Sequence, residues 1–151
     1  MPHVELTAGT VTYRVIDNEV EVLLVKPAIG NAGWMIPKGH VMINDGEPVQ
    51  DAAKRETQEE TGIKVNLLDY LGSVKYEIPA GLKVVHGYLA EPVNPNQKII
   101  SDGENSQVKW MPVSSLYGIN KEQAQLIAKG IVLAQQIVKK RQSAEKIKIA
   151  S

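Results

Sequence analysis

Apolar and polar positions divide the chain into short extended runs, two helical stretches and the turns between them. Val4 to Ile16 alternates loosely and is rich in β-branched residues, which predicts a strand with Asp17-Asn18 as the turn after it. Val20-Glu21-Val22-Leu23-Leu24-Val25 predicts a second, largely buried strand that can form a hairpin with the first. Pro27 to Gly33 is a loop rich in Gly, Ala and Asn. Trp34 to Pro37 is a short extended piece, because the residue before a proline is pushed out of the helical region. Val65 to Lys75, with a break near Gly72, and Leu82 to Ala90 predict two more strands around the turn Pro79-Ala80-Gly81. Pro92 to Asn96 breaks the pattern, Ser101 to Asn105 is a polar loop, and Gln107 to Met111 is the last strand.

The first helical stretch covers 48–61. Asp45-Gly46 is a turn signal, Pro48 suits the first helical position, and Gly62 suits the position just past the end. On a wheel of about 100° per residue, Val49, Ala52 and Ala53 share one face. Glu56 and Glu60 continue that face, and Glu59 lies at its edge. The second stretch runs from about Lys121 to Arg141, with Asn120 as its cap. Leu126, Gly130, Leu133 and Ile137 repeat on one side, with Ile127, Ile131 and Val138 beside them. Lys139, Lys140 and Arg141 complement the dipole at its end. Strands on both sides of one central helix, followed by a late helix, predict a mixed sheet between helices. Residues 1–142 read as one domain and 143–151 as a flexible tail.

Composition narrows the chemistry. The 151 residues are one ordinary domain's worth. Lys plus Arg equals Asp plus Glu at 17 each, so no global charge points to nucleic acid or to a membrane surface. Cysteine is absent, which excludes disulfides, thiolate zinc sites and a cysteine nucleophile. Met1 to Thr10 has no signal-peptide pattern, and no run approaches the ~20 apolar residues of a membrane span. The expectation is a cytoplasmic protein with no protein partner implied. Phenylalanine is absent too, so any base-stacking ring is tyrosine or tryptophan.

A run of acids on a helix is ordinarily a solvated face. Here Glu56 and Glu60 continue the apolar stripe instead of opposing it. Carboxylates held against a core are costly without a cation or donors. Spacings of three and four residues bring them together, where like charges repel unless a metal lies between them. Such hard oxygen ligands suit Mg2+, with Mn2+ as a substitute.

Glu47, followed after an interval by Arg55-Glu56-Thr57-Gln58-Glu59-Glu60-Thr61-Gly62-Ile63, resembles the Nudix box. Its many fixed positions make the match specific. The interval from Gly39 to Glu47 is longer than the family's, and the extra pair of residues lies in the turn around Ile43-Asn44-Asp45-Gly46. The resemblance spans about Val4 to Lys139 and implies the α/β/α sandwich of that family, a mixed sheet between helices. It also implies metal-dependent hydrolysis of a nucleoside diphosphate linked to another group. Glu56, Glu59, Glu60 and the Gly39 carbonyl are then the metal ligands, and Arg55 pairs with Glu47 to orient loop and helix.

The segments around the box narrow the branch. Trp34-Met35-Ile36-Pro37-Lys38-Gly39-His40-Val41 is similar to the segment entering the box in hydrolases that cleave diadenosine tetraphosphate asymmetrically. Thr57, where many Nudix proteins have an aliphatic residue, points the same way. Lys83 resembles a phosphate-binding lysine of that branch and Tyr76 a tyrosine that stacks on adenine. Lys38 and His40 are further candidates for substrate contact. Glu104, in Ser101-Asp102-Gly103-Glu104-Asn105, resembles a metal-binding or base glutamate by its spacing from Trp110, with Asp102 its nearest rival. Glu56 is the other candidate base. The expected reaction converts diadenosine tetraphosphate to ATP and AMP. Another Nudix pyrophosphatase, for nucleoside triphosphates, diphosphoinositol polyphosphates or capped RNA ends, and a non-catalytic nucleotide-binding module are the alternatives. Trp34 and Trp110 are expected to pack the core, and nothing is assigned to His3 or His86.

Overall fold

In a computed structural model, which describes residues 3–101, 103 and 105–150, the chain folds around one long strand. That strand, β1 (His3–Ile16), is followed by β2 (Glu19–Pro27), a short β3 (Lys38–His40), helix α1 (Val49–Thr61), β4 (Val65–Ile78), β5 (Gly81–Pro92), β6 (Asn105–Pro112) and helix α2 (Ala124–Ala150). Its N-terminal part pairs in parallel with β5, from His3 opposite Gly81 to Thr12 opposite Ala90. Its C-terminal part turns over to an antiparallel pairing with β2, Tyr13 opposite Val22. The hairpin between them closes on Asp17 and Asn18, both with positive φ, as the twist of a tight hairpin requires.

The six-stranded mixed sheet has the order β4-β5-β1-β2-β6, with β3 laid antiparallel on β1. One helix covers each face. On the α1 side, Ala52 and Ala53 bury against Ala8 and Val41, with Leu6, Val49 and Tyr88 packed around them. On the other side, Leu126, Ile127 and Ile131 of α2 bury against Val11, Tyr13, Val85 and Leu89. Two glycines let α2 settle this close. A Cβ at Gly130 would lie 2.6 Å from Val11, and one at Gly87 would lie 2.6 Å from Leu126. The alternation of β1 thus feeds both layers, which is why seven consecutive residues, Thr7 to Tyr13, are buried. The expected α/β/α sandwich is the observed one.

Several element ends differ from the sequence expectation. Pro48 is the extended residue before α1 (ψ 147°), not its first helical residue. Gly62 does close the helix in the left-handed region at φ 78°. β4 continues past Lys75 to Ile78, and the expected break appears as register shifts at Leu67/Asp69 and Tyr70/Gly72. Asn120 caps a turn, accepting from the Gln123 N–H at 3.1 Å, and α2 proper starts at Ala124. That helix runs on to Ala150 beyond the expected end near Arg141, because 142–150 holds good helix formers and neither Gly nor Pro. Every one of those added residues is exposed. Trp34 is buried in the core, while Trp110 is only partly buried, with the Arg14 guanidinium 4.5 Å above its ring.

Candidate active site

The helical wheel places Glu56 and Glu60 on the buried stripe of α1; the structure refines this. The residues that continue Ala52 and Ala53 into the core are Thr57 and Thr61, both fully buried. Their hydroxyls are satisfied locally. Thr57 donates to the Ala53 carbonyl at 2.8 Å and Thr61 to the Thr57 carbonyl at 2.6 Å. Thr57 also meets Thr10, which meets Thr12, in a short ladder of hydroxyls between helix and sheet. Glu56 and Glu60 flank this stripe and are only partly exposed, while the Glu59 side chain is 55% exposed.

Arg55 gathers the acids and the loop. Its Nε donates to Glu47 at 2.7 Å and one Nη to the other oxygen of the same carboxylate at 3.0 Å, a two-pronged ion pair. The same Nη donates to the His40 carbonyl at 2.9 Å. The other Nη donates to Glu56 at 2.7 Å and to Glu59 at 3.1 Å. Glu47 in turn accepts from the Met42 N–H at 3.0 Å. One guanidinium therefore ties the strand β3, the loop after it and two carboxylates of α1, Glu56 and Glu59, together. Arg55 holds Glu47 below the usual carboxylate range. Burial pushes Glu56 up, against the pull of Arg55.

Gly39 lies against this cluster: a Cβ there would collide with the Glu56 carboxylate. Alternation along β3 turns the neighbours, Lys38 and His40, to the opposite side. There, opposite Gly9 and Thr7 of β1, they join residues contributed from elsewhere in the chain. Lys83 of β5 sits 3.9 Å from Glu5 of β1, and His40 sits 3.8 Å from the same carboxylate. Lys38 is largely desolvated and close to Lys83, which brings its pKa down to about 8. Tyr76 stands directly across the strand pair from Lys83.

Two of these groups are beyond the sequence patterns. Glu5 has no motif around it, and only the pairing of β1 with β5 sets it beside Lys83. Gln123, fully buried, accepts the Ile36 N–H at 2.9 Å. It belongs to a clamp on the segment entering β3. Trp34 N–H donates to the Gly118 carbonyl, Asn120 N–H to the Trp34 carbonyl, and the Asn120 amide to the Ala32 carbonyl, all within 2.9 Å.

Glu60 accepts from the Asn105 amide at 3.5 Å, which places the start of β6 at the C-terminal end of α1. Glu104 and its rival Asp102 lie outside the described residues. Among the described residues no three His, Asp or Glu side chains converge at metal-ligand spacing. The Arg55 guanidinium occupies the space between Glu56 and Glu59. The donor set nevertheless suits a hard divalent cation, since it consists of carboxylate oxygens beside the backbone of Gly39. Burial also leaves Glu56 in need of more positive charge than one shared guanidinium N–H provides.

Comparison with known proteins bears on these features. A NUDIX domain model matches residues 6–133. A bis(5'-nucleosyl)-tetraphosphatase (asymmetrical) of Caenorhabditis elegans is 36% identical over 107 residues, covering 68% of this chain and 75% of that protein. A putative mutator protein MutT4 of Mycobacterium tuberculosis is 35% identical over 121 residues, 74% of this chain but 48% of that protein, so the chain spans about half its length. The crystal structure of a C. elegans Ap4A hydrolase binary complex superposes with a TM-score of 0.75 at 28% identity, covering 86% of this chain and 97% of that one.

Proposed function

Since this chain belongs to the Nudix hydrolase family, we propose that it cleaves diadenosine tetraphosphate asymmetrically, giving ATP and AMP. The observation that carries the choice of substrate is the cluster on the far side of β3. Lys38 and Lys83, the pair of lysines that resembles a polyphosphate cradle, lies beside Tyr76. The C. elegans tetraphosphatase, at 36% identity, supports the same choice.

Glu56, Glu59, Glu60 and the Gly39 carbonyl are the residues that would hold divalent ions, Mg2+ with Mn2+ as a substitute. Such ions, when bound, neutralise phosphate oxygens and acidify the attacking water. The remaining work falls to the chain itself. Arg55 holds Glu56 and Glu59 at fixed positions through its two bonds to them and anchors itself on Glu47. Supporting bonds of this kind orient ligand groups in metal sites generally. Lys38 and Lys83 bind oxygens of the phosphate chain, His40 lines its path, and Tyr76 provides the ring for one adenine. Base–aromatic stacking contributes about 1–3 kcal/mol, enough to set a preference within one shared chemistry. Glu104 takes the proton from the attacking water.

Product analysis tests the proposal. The protein is incubated with Mg2+ and, separately, diadenosine tetraphosphate, dATP, ADP-ribose and diphosphoinositol pentakisphosphate. The expected result is the highest kcat/KM on the first, with ATP and AMP in equal amounts. A tenfold advantage for dATP or ADP-ribose would overturn the substrate while leaving the reaction class intact.

A further inference from the structure

Two buried side-chain atoms, the Tyr13 hydroxyl and Gln123 Nε2, lack a close hydrogen bond among the described residues, and the second of them borders the candidate cleft. Gln123 is fully buried, and its Nε2 makes no hydrogen bond among the described residues. A buried unpaired donor is costly, and native chains keep few of them. The amide cannot relieve this by flipping. Its Oε1 is already engaged as acceptor of the Ile36 N–H at 2.9 Å, and the backbone of Gln123 is fixed by its N–H to Asn120 Oδ1 at 3.1 Å. Nε2 is thus committed as a donor and held in place from both sides.

What lies beside that donor is the phenol of Tyr76, on which the Glu122 and Glu5 carboxylates also act. Tyr76 packs its ring against the core that contains Leu126 and Ile127 of α2, so ring and amide belong to one packed unit. On the other end of the amide, Ile36 leads through Pro37 directly into Lys38 and Gly39. Gln123 is therefore the side chain that touches both the strand segment bearing a phosphate lysine and the ring across from Lys83.

We propose that Gln123 is a positioning residue of the nucleotide cleft, whose amide sets the Tyr76 phenol through Nε2 and the Lys38 segment through Oε1. This rests on the nucleotide-hydrolase reading above and extends it. An amide NH2 can only donate, so in the bond that Nε2 closes onto Tyr76 when the cleft is occupied the phenol oxygen is the acceptor. The proton of the Tyr76 hydroxyl is then left for an acceptor on the ligand, a ribose or phosphate oxygen. Tyr76 thus contributes a directed hydrogen bond as well as a stacking face. Through Oε1 the same amide keeps Lys38 in step with that ring.

The test is a double-mutant cycle on Gln123→Met and Tyr76→Phe, with 19F NMR of the protein labelled with 3-fluorotyrosine. Each single variant is expected to raise KM for diadenosine tetraphosphate about threefold to tenfold, the worth of one hydrogen bond, with kcat changed far less. The double variant is expected to be no worse than the poorer single. Multiplicative effects, or an unchanged KM in Gln123→Met, would overturn the proposal. The NMR arm needs no turnover. The Tyr76 resonance, assigned by its loss in Tyr76→Phe, is expected to shift in Gln123→Met, and an unmoved resonance overturns the coupling even if the enzyme acts on another nucleotide. If no nucleoside polyphosphate is hydrolysed while the resonance does shift, the substrate reading has failed and the coupling has not. Gln123→Glu, which keeps an acceptor for Ile36 N–H, covers the case in which the methionine variant does not fold. Ionised, it has no donor for Tyr76, and KM is expected to rise as in the methionine variant; a wild-type KM counts against the proposal.

Discussion

At the scale of single residues, Lys38 is the group whose ionisation a nucleotide would read. Burial and the neighbouring Lys83 bring its pKa to about 8. Below that value it is a cation, able on the proposed reading to bind phosphate oxygens; above it the charge is lost. KM for the polyphosphate is therefore expected to be flat below about pH 8 and to rise above it, in a profile of KM against pH at saturating Mg2+. Lys38→Arg should abolish the rise, because a guanidinium stays protonated. The carboxylates act on kcat instead. Glu60→Gln is expected to fold and to lose roughly two to four orders of magnitude in turnover, and a chelator should abolish the wild-type rate until Mg2+ is restored. Wild-type turnover by Glu60→Gln at limiting Mg2+ would remove it from the ligand set. Glu104→Gln is expected to cost about 10²–10⁴-fold in kcat with a smaller change in KM, the contribution of a general base. Asp102→Asn is the control that should keep its rate.

At the scale of elements, α1 separates two jobs that its sequence runs together. The carboxylates and Arg55 were legible because their contacts are local. Glu47 and Arg55 are eight residues apart across the start of α1, and Arg55 and Glu59 are one helical turn apart. The threonines were less legible. A hydroxyl on a helix reads as polar, yet Thr57 and Thr61 turn theirs back onto the helix's own carbonyls and so enter the core as apolar residues do. Thr57→Val, which keeps the shape and leaves Thr10 without that contact, is expected to lower stability by about 1–2 kcal/mol. That corresponds to a fall in Tm of roughly 2–8 °C by calorimetry, with kcat within a factor of about two of wild type. The clamp of Gly118, Asn120 and Gln123 on the segment 32–36 was not legible at all. Nothing in the local pattern of either segment signals the other, and the partners meet only once the sheet is complete.

At the scale of the molecule, α2 is tied to β5 near its C-terminal third by the ion pair from Arg141 to Glu91 at 3.0 Å. Beyond it residues 142–150 form helix without a buried face, and Ile147 and Ile149 are 71% and 79% exposed. A chain ending at Gln142 is expected to keep its Tm within about 1 °C and its kcat/KM unchanged, as surface segments outside the core generally allow. A larger loss in thermal melting would mean that this extension supports the domain. The opposite end of the chain has the reverse character. β1 is made first but is finished last: Val4 must find Leu82 and Thr12 must find Ala90 before its N-terminal part has its parallel neighbour. During synthesis β1 first meets β2, which pairs with residues 13–16, and then the short β3, which pairs with residues 7–9. Until β5 emerges, the edge of β1 that β5 will cover, from His3 to Thr12, stays open. Closing that distant pairing is slow by its topology. A nascent chain stalled before β5 should therefore be the form that chaperones hold and proteases cut, and release of β5 should be the step at which Lys38, Lys83 and Glu5 first become neighbours.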